Sequence, residues 1–99
     1  MTLSTKVYRK LLQVPKGKVT SYGDLAKAVE LENGQRVIGM IMKKNPFPVI
    51  VPCHRVVKSD GKIGGYSYGA RVKSYMLLKE GIKIRDGKII DFAKGRFCF

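Results

Sequence analysis

The 99-residue sequence has no tryptophan, one histidine, two cysteines and only seven acidic residues. Two cysteines and one histidine cannot supply the four ligands of a structural zinc without carboxylates, and they are too few for a disulfide framework. Cys53 and Cys98 also lie far apart in unlike settings, one beside the single histidine and one in a Phe-rich tail, which fits a reducing compartment: the cytoplasm, or the nucleus of a eukaryote. Long apolar runs are missing too. The longest, Pro46 to Cys53, falls far short of the ~20 residues a membrane span needs, and the amino terminus lacks the basic-then-apolar order of a signal peptide. The expectation is a soluble chain that meets no membrane, and its length leaves room for one core, hence one domain over 1–99.

What is abundant is positive charge. Twenty Lys and Arg against seven Asp and Glu give a net charge of +13, in a composition (44% hydrophobic, 27% charged) otherwise ordinary for a globular protein. Such an excess favours a polyanionic partner. The charge is also unevenly spread: no acid occurs from Asn33 through Ser59, while Arg36, Lys43, Lys44, Arg55 and Lys58 all lie in that stretch. The plain alternative is a solvated lysine-rich surface without a ligand.

Leu3, Val7, Tyr8, Leu11 and Leu12 recur at helical spacing until Pro15 and Gly17 break the pattern. After a short strand at Lys18 to Thr20, Ser21 followed by Asp24 predicts a capped helix from Tyr22 to Glu30. Asn33-Gly34 predicts a tight turn, and a third helix follows from Gln35 to Lys44, ended by Asn45-Pro46. Two short helices across a tight turn in a basic chain read as a helix-turn-helix whose second helix contacts DNA. On that helix Val37, Ile38 and Ile41 form an apolar stripe, while Arg36, Gly39, Met40 and Lys43 share another face. A glycine inside a helix costs about 1 kcal/mol relative to alanine, so Gly39 signals a close approach there, by a ligand or by the first helix.

Further on, Pro46 to Pro52 is expected to cross the core in extended form and deliver Cys53 and His54. Val56-Val57 and Lys62-Ile63 are expected to pair as a small wing hairpin around Ser59-Asp60-Gly61. Gly64 to Gly69 reads as an aromatic loop, and Arg71 to Glu80 as the last helix with Val72, Tyr75, Met76 and Leu78 apolar and Gly81 as its cap. Lys83 to Phe92 predicts a second small hairpin around Asp86-Gly87. The fold class is therefore mainly α with a small β wing, a winged helix-turn-helix.

Pro52-Cys53-His54-Arg55 is the chemically distinctive segment. A cysteine is a nucleophile as thiolate, a form that a neighbouring imidazole and a positive charge such as Arg55 favour. Adjacent side chains in a strand point to opposite faces, however, so Cys53 and His54 can communicate only if the chain turns there or a water lies between them. On spacing alone, a structural Cys next to a structural His is the more ordinary reading.

This segment and its flanks resemble the carboxy-terminal domain of the O6-alkylguanine-DNA alkyltransferases, the methylated-DNA-protein-cysteine methyltransferases. The resemblance runs from about Val7 to Ile84 and includes Thr20-Ser21-Tyr22, Arg36-Val37-Ile38-Gly39, Asn45-Pro46, Ile50 to Val57, Gly64 to Gly69 and Lys79-Glu80-Gly81. It implies a monomeric, cofactor-free repair protein that binds duplex DNA containing O6-alkylguanine in the minor groove, turns the base out and moves its alkyl group irreversibly onto Cys53. By the same resemblance, His54 deprotonates the thiol through a water and Glu80 orients His54. Tyr22 aids rotation and protonates the departing guanine, Arg36 fills the gap in the duplex, and Asn45 ties the recognition helix to the active-site segment. Ser21, Gly39, Met40, Lys43 and Ser59 join Tyr22 and Arg36 on the DNA face, and Val56, Tyr66, Ser67 and Tyr68 shape the base pocket. The resemblance also implies that the family's amino-terminal domain is absent and that Tyr68 narrows the pocket where some relatives carry a small residue; the tail from Arg85 is unmatched, and Cys98, between Phe97 and Phe99 in an expected frayed terminus without fixed orientation, reads as a bystander.

Two other classes compete. Alkyltransferase-like proteins bind lesions without reacting, but they replace the cysteine of this motif, commonly by tryptophan, whereas Cys53 is present here. A non-catalytic winged-helix regulator would explain the charge and the helices but not Cys53-His54 together with Tyr22, Asn45 and Glu80.

Overall fold

The computed structural model describes residues 1–48 and 50–99. Its elements in chain order are α1 (Leu3–Leu11), β1 (Thr20–Ser21), α2 (Tyr22–Ala28), α3 (Gln35–Lys43), a 3-10 turn (Cys53–Arg55), β2 (Val56–Val57), α4 (Ala70–Lys79), β3 (Ile84–Arg85), β4 (Lys88–Ile89) and a short α5 (Phe92–Gly95). Two apolar cores lie on either side of the β1–β2 pair. The first joins Val7 and Leu11 of α1, Leu25 and Ala26 of α2, and Ile38, Ile41 and Met42 of α3 to Val51, Cys53 and Val56. The second gathers Val19, Val57, Ile63, Leu77, Ile82 and Ile89. Successive strand side chains point to opposite faces, so Val56 and Val57 each belong to a different core.

That arrangement corrects the first expected hairpin. Val56–Val57 pairs in parallel with Thr20–Ser21 rather than with Lys62-Ile63, because a strand buried on both faces belongs inside the molecule, not on a solvent-facing wing. Lys62 bridges to Lys88 instead, so the wing is completed by β3–β4, an antiparallel hairpin whose Asp86 and Gly87 both take positive φ (51° and 74°) as its tight turn requires.

Other expectations are also revised. Pro46 to Pro52 does not cross the core extended, although Val49 of that segment lies outside the described residues. Val51 N donates to Phe47 O (2.9 Å), Phe47 and Ile50 are exposed, and only Val51 and Pro52 lead inward. Prolines at 46 and 48 favour that surface turn over a ladder. In α4 the buried residues are Lys73 and Leu77, one turn apart, whereas Val72, Tyr75 and Leu78 face outward. In α3 Val37 is exposed and Met42 takes its place inside. The tail is tied down, not frayed: Val19 N donates to Gly95 O, Phe97 N donates to Val19 O, and Phe97 packs on the first core.

Candidate active site

The helix-turn-helix consists of α2 and α3. Ser21 caps α2, its Oγ accepting from Asp24 N at 3.0 Å, and Asn33 takes positive φ (51°) in the turn before α3. The apolar side of α3 packs on α1 and α2, which leaves Arg36, Met40 and Lys43 exposed on its outer side. A Cβ placed on Gly39 would meet nothing within 4 Å. Packing against α1 is therefore not the reason for this glycine; it opens the helix surface toward a cavity.

That cavity, about 610 Å³, is lined by Tyr22, Gly39, Met42, Lys43, Cys53, Gly65, Tyr66 and Ser67. Cys53 is 6% exposed, a nearly buried thiol at the wall of an otherwise open hollow. The structure brings Tyr22 of α2, Gly39 and Lys43 of α3, and Tyr66 and Ser67 of the loop before α4 around it, from three separate parts of the chain. Four residues expected at this site lie elsewhere. Val56 is fully buried in the first core and does not line the cavity. Tyr68 is exposed, meeting Tyr66 edge-on at 5.6 Å, so it stands outside the cavity and does not narrow it. Ser21 is fully buried with its hydroxyl engaged in the cap, hence not a surface group. Ser59 lines a different hollow, beside Gly23 and Gln35. Asn45 bridges two segments: its Nδ2 donates to Val51 O (3.0 Å) and its Oδ1 accepts from Phe47 N (2.9 Å).

Beneath the thiol the chain turns. The 3-10 conformation of Cys53–Arg55 breaks strand alternation, and His54 is 1% exposed, with Nε2 3.1 Å from Glu80 Oε2. Glu80 also accepts two hydrogen bonds from Arg55, from Nε at 2.9 Å and Nη2 at 2.6 Å, while Arg55 Nη1 donates to Val14 O. Arg55 is thus paired with Glu80 rather than left as a free charge beside Cys53. Burial works against ionising Glu80, but the bonds from Arg55 and His54 outweigh it and hold the carboxyl below its ordinary range. Burial pushes the His54 pKa down, and the Glu80 bond only partly offsets this. At neutral pH the imidazole is therefore uncharged, with Nε2–H donating to the carboxylate. Its Nδ1 is then a lone pair, buried and without a partner among the described residues.

Burial, and secondarily Cys53, raise the pKa of Tyr22, and burial pushes that of Tyr66 up to about 12, so both phenols keep their protons at neutral pH. A residue that sequence reasoning missed lies between them and the core. Lys73 is fully buried, its Nζ donating to Val56 O (2.6 Å) and Gly65 O (3.1 Å) and lying 5.9 Å above the Tyr22 ring. Desolvation lowers its pKa to about 8. The one sequence signal was its place four residues before Leu77 on an otherwise mixed helix, which does not mark a lysine for burial. Among the described residues no group of three His, Cys, Asp or Glu side chains comes together to hold a metal ion.

A helix-turn-helix with a basic outer helix, set beside a hollow that holds a cysteine backed by a His–Glu–Arg cluster, defines a helix-turn-helix domain with a candidate nucleophile. Comparison with known proteins makes the assignment specific: residues 2–82 match the family profile "6-O-methylguanine DNA methyltransferase, DNA binding domain", and the chain belongs to that family. A methylated-DNA-protein-cysteine methyltransferase of Thermococcus kodakarensis is 52% identical over 79 residues, 79% of this chain and 44% of that protein. A bifunctional methyltransferase/endonuclease of Picrophilus torridus is 40% identical over 95 residues, 96% of this chain and 32% of its own length. The chain thus spans half or less of such relatives. Among solved structures, Mycobacterium tuberculosis OGT in complex with DNA aligns with a TM-score of 0.79 at 34% identity, over 82% of this chain and 49% of that one. S. pombe Atl1 in complex with damaged DNA containing O6-carboxymethylguanine aligns with a TM-score of 0.84 at 31% identity, over 98% of both chains.

Proposed function

We propose that this chain repairs duplex DNA by moving the alkyl group of an O6-alkylguanine onto Cys53 in a single, irreversible event. The observation that carries the reading is the Cys53 thiol at the wall of a hollow on the recognition-helix side, with the His54–Glu80–Arg55 cluster beneath it. A base in a duplex must leave the stack before a side chain can reach its exocyclic oxygen, at a few kcal/mol of lost stacking. The exposed Arg36 is suited to occupy the vacated space. His54 Nδ1, uncharged and unpartnered, takes the thiol proton through an intervening water, while Glu80 holds the tautomer from the other side. The thiolate sulfur attacks the alkyl carbon, the carbon–oxygen bond to guanine breaks, and the departing base takes a proton from Tyr22, which is protonated at neutral pH; Tyr22 then regains a proton from solvent as the imidazolium of His54 releases its own. The product is a thioether on Cys53 and an unmodified guanine. Nothing in that product favours reversal, so each chain acts once.

A second reading has its own support. S. pombe Atl1 in complex with damaged DNA aligns with a TM-score of 0.84, and lesion binding without transfer would also use the hollow. Mass spectrometry after incubation with duplex DNA containing O6-methylguanine separates the two. Transfer predicts one added methyl group per chain, mapped to Cys53, absent in Cys53→Ala and retained in Cys98→Ala. Lesion binding without mass gain selects the second reading, and methyl on Cys98 or repeated turnover by one chain overturns the first.

A further inference from the structure

Residues 83–99 lie beyond the stretch matched by the family profile, which ends at residue 82, and they carry Lys83, Arg85, Lys88, Lys94 and Arg96 against Asp86 and Asp91. Their hairpin docks on the body through Ile89 N donating to Gly61 O (2.9 Å) and Ile63 N donating to Gly87 O (3.0 Å). Ile84 and its partner Ile89 pack into the second core, so the directly opposed pair Arg85 and Lys88 stands on the outward face. Lys88 is also bridged on its other side by Lys62. Lys62, Lys88 and Arg85 therefore form a row of three exposed cations across three adjacent strands. With strands about 4.8 Å apart, the row spans about 10 Å.

Like charges directly opposite in a sheet destabilise it, and this row has little to neutralise it from within. Asp60 lies 3.9 Å from Lys62; among the described residues, neither Arg85 nor Lys88 has an ion-pair partner. The row also adjoins the helix-turn-helix. A Cβ on Gly23 would lie 3.0 Å from Ser59 Oγ and 3.5 Å from Gln35, and one on Gly64 would meet Lys58 at 3.5 Å and Tyr22 at 3.8 Å. The turn that begins the row thus rests against the starts of α2 and α3.

We infer that Lys62, Lys88 and Arg85 form a backbone-binding strip, gripping the DNA phosphates that flank the segment under α3. This rests on the duplex-binding reading above and assigns a role to the tail that the family match leaves out. A row of cations about 10 Å long is long enough to meet more than one phosphate along a strand. Such contacts are blind to sequence and damage: they strengthen binding and its salt dependence, and they have no part in the chemistry.

The test compares the unaltered chain with a triple variant, Lys62→Gln, Arg85→Gln and Lys88→Gln. Duplex affinity is measured at several salt concentrations, and the single-turnover transfer rate at saturating methylated duplex. Each lost phosphate contact flattens the slope of log K against log salt by about 0.9, so the slope is expected to become shallower by two to three and low-salt affinity to fall about tenfold or more. The saturated transfer rate is expected to stay unchanged, and thermal stability to hold or rise slightly as the like-charge repulsion is relieved. A variant with Lys62→Arg, Arg85→Lys and Lys88→Arg keeps the charge and is expected to bind as the unaltered chain does. Unchanged affinity and slope in the Gln variant, or a loss of transfer at saturating DNA, overturns the strip while leaving duplex repair standing. If the unaltered chain binds no duplex, it is the repair reading that fails, and the strip falls with it.

Discussion

His54 and Glu80 lie 26 residues apart in sequence and 3.1 Å apart in space, and Arg55 donates to both oxygens of the same carboxylate, sharing Oε2 with His54. One carboxylate thus fixes two consecutive residues of the Cys53–Arg55 turn. Glu80 is the C-cap of α4, a helix end where a negative charge is mildly unfavourable, and two hydrogen-bonding partners offset that cost.

If Glu80 orients His54 for proton removal, Glu80→Gln should slow transfer by about 10- to 100-fold, the range seen when an orienting partner is lost, while lesion affinity stays nearly unchanged. Rapid-quench transfer and equilibrium binding, measured side by side, check this. An unaltered rate would remove Glu80 from the relay.

The His54 pKa lies below its ordinary value of 6.5 because burial disfavours the charged ring. Transfer should therefore be flat through neutral pH and lose its acid limb only below that value, as Nδ1 becomes protonated. Stability should fall in the same acid range. The unfolded chain takes up the histidine proton first, and the Glu80 carboxyl, held low in the fold, also gives up its contribution as pH drops. A pH profile of the single-turnover rate with its midpoint above 6.5 contradicts the assignment.

Lys73 makes a prediction of the same sign on the alkaline side. Its pKa is lowered from 10.5 to about 8, so between those values the unfolded chain binds more protons than the folded one and stability rises with pH. At 1.36 kcal/mol per unit the whole gain is on the order of 3 kcal/mol. Tyr22 and Tyr66, whose pKa values are raised, act against it only above their ordinary value of 10. Denaturant unfolding from pH 7.5 to 9.5 should show this rise. It should be absent in Lys73→Met, which should also be less stable throughout because Val56 O and Gly65 O lose their donor.

Arg36 is exposed at the start of α3. If it supports the extruded state, Arg36→Ala should reduce the repair rate about tenfold or more, since about 1.4 kcal/mol of lost support is a factor of ten, while weakening binding to intact duplex much less. Equal losses in both assays would assign Arg36 to ordinary backbone contact.

Much of this protein was legible in local sequence. The three helices of the amino-terminal half, the Ser21 cap and the Asp86-Gly87 hairpin follow from spacing, capping and turn chemistry, which act over a few residues. The Cys53-His54 segment could be singled out in the same way, though not the direction in which its side chains point. Three-dimensional packing decided the rest. The family resemblance implies Val56 and Tyr68 as pocket residues, yet Val56 lies in the core, because Val56–Val57 is a central strand shared by two cores, and Tyr68 lies in solvent. Lys73 looks like a surface lysine, and only the carbonyls of Val56 and Gly65, 17 and 8 residues away, make its burial tolerable. Composition determined that the chain is basic and which residues could do chemistry. The tertiary structure alone decided which of them share a cavity, since burial and long-range hydrogen bonds depend on neighbours that no short window of sequence contains.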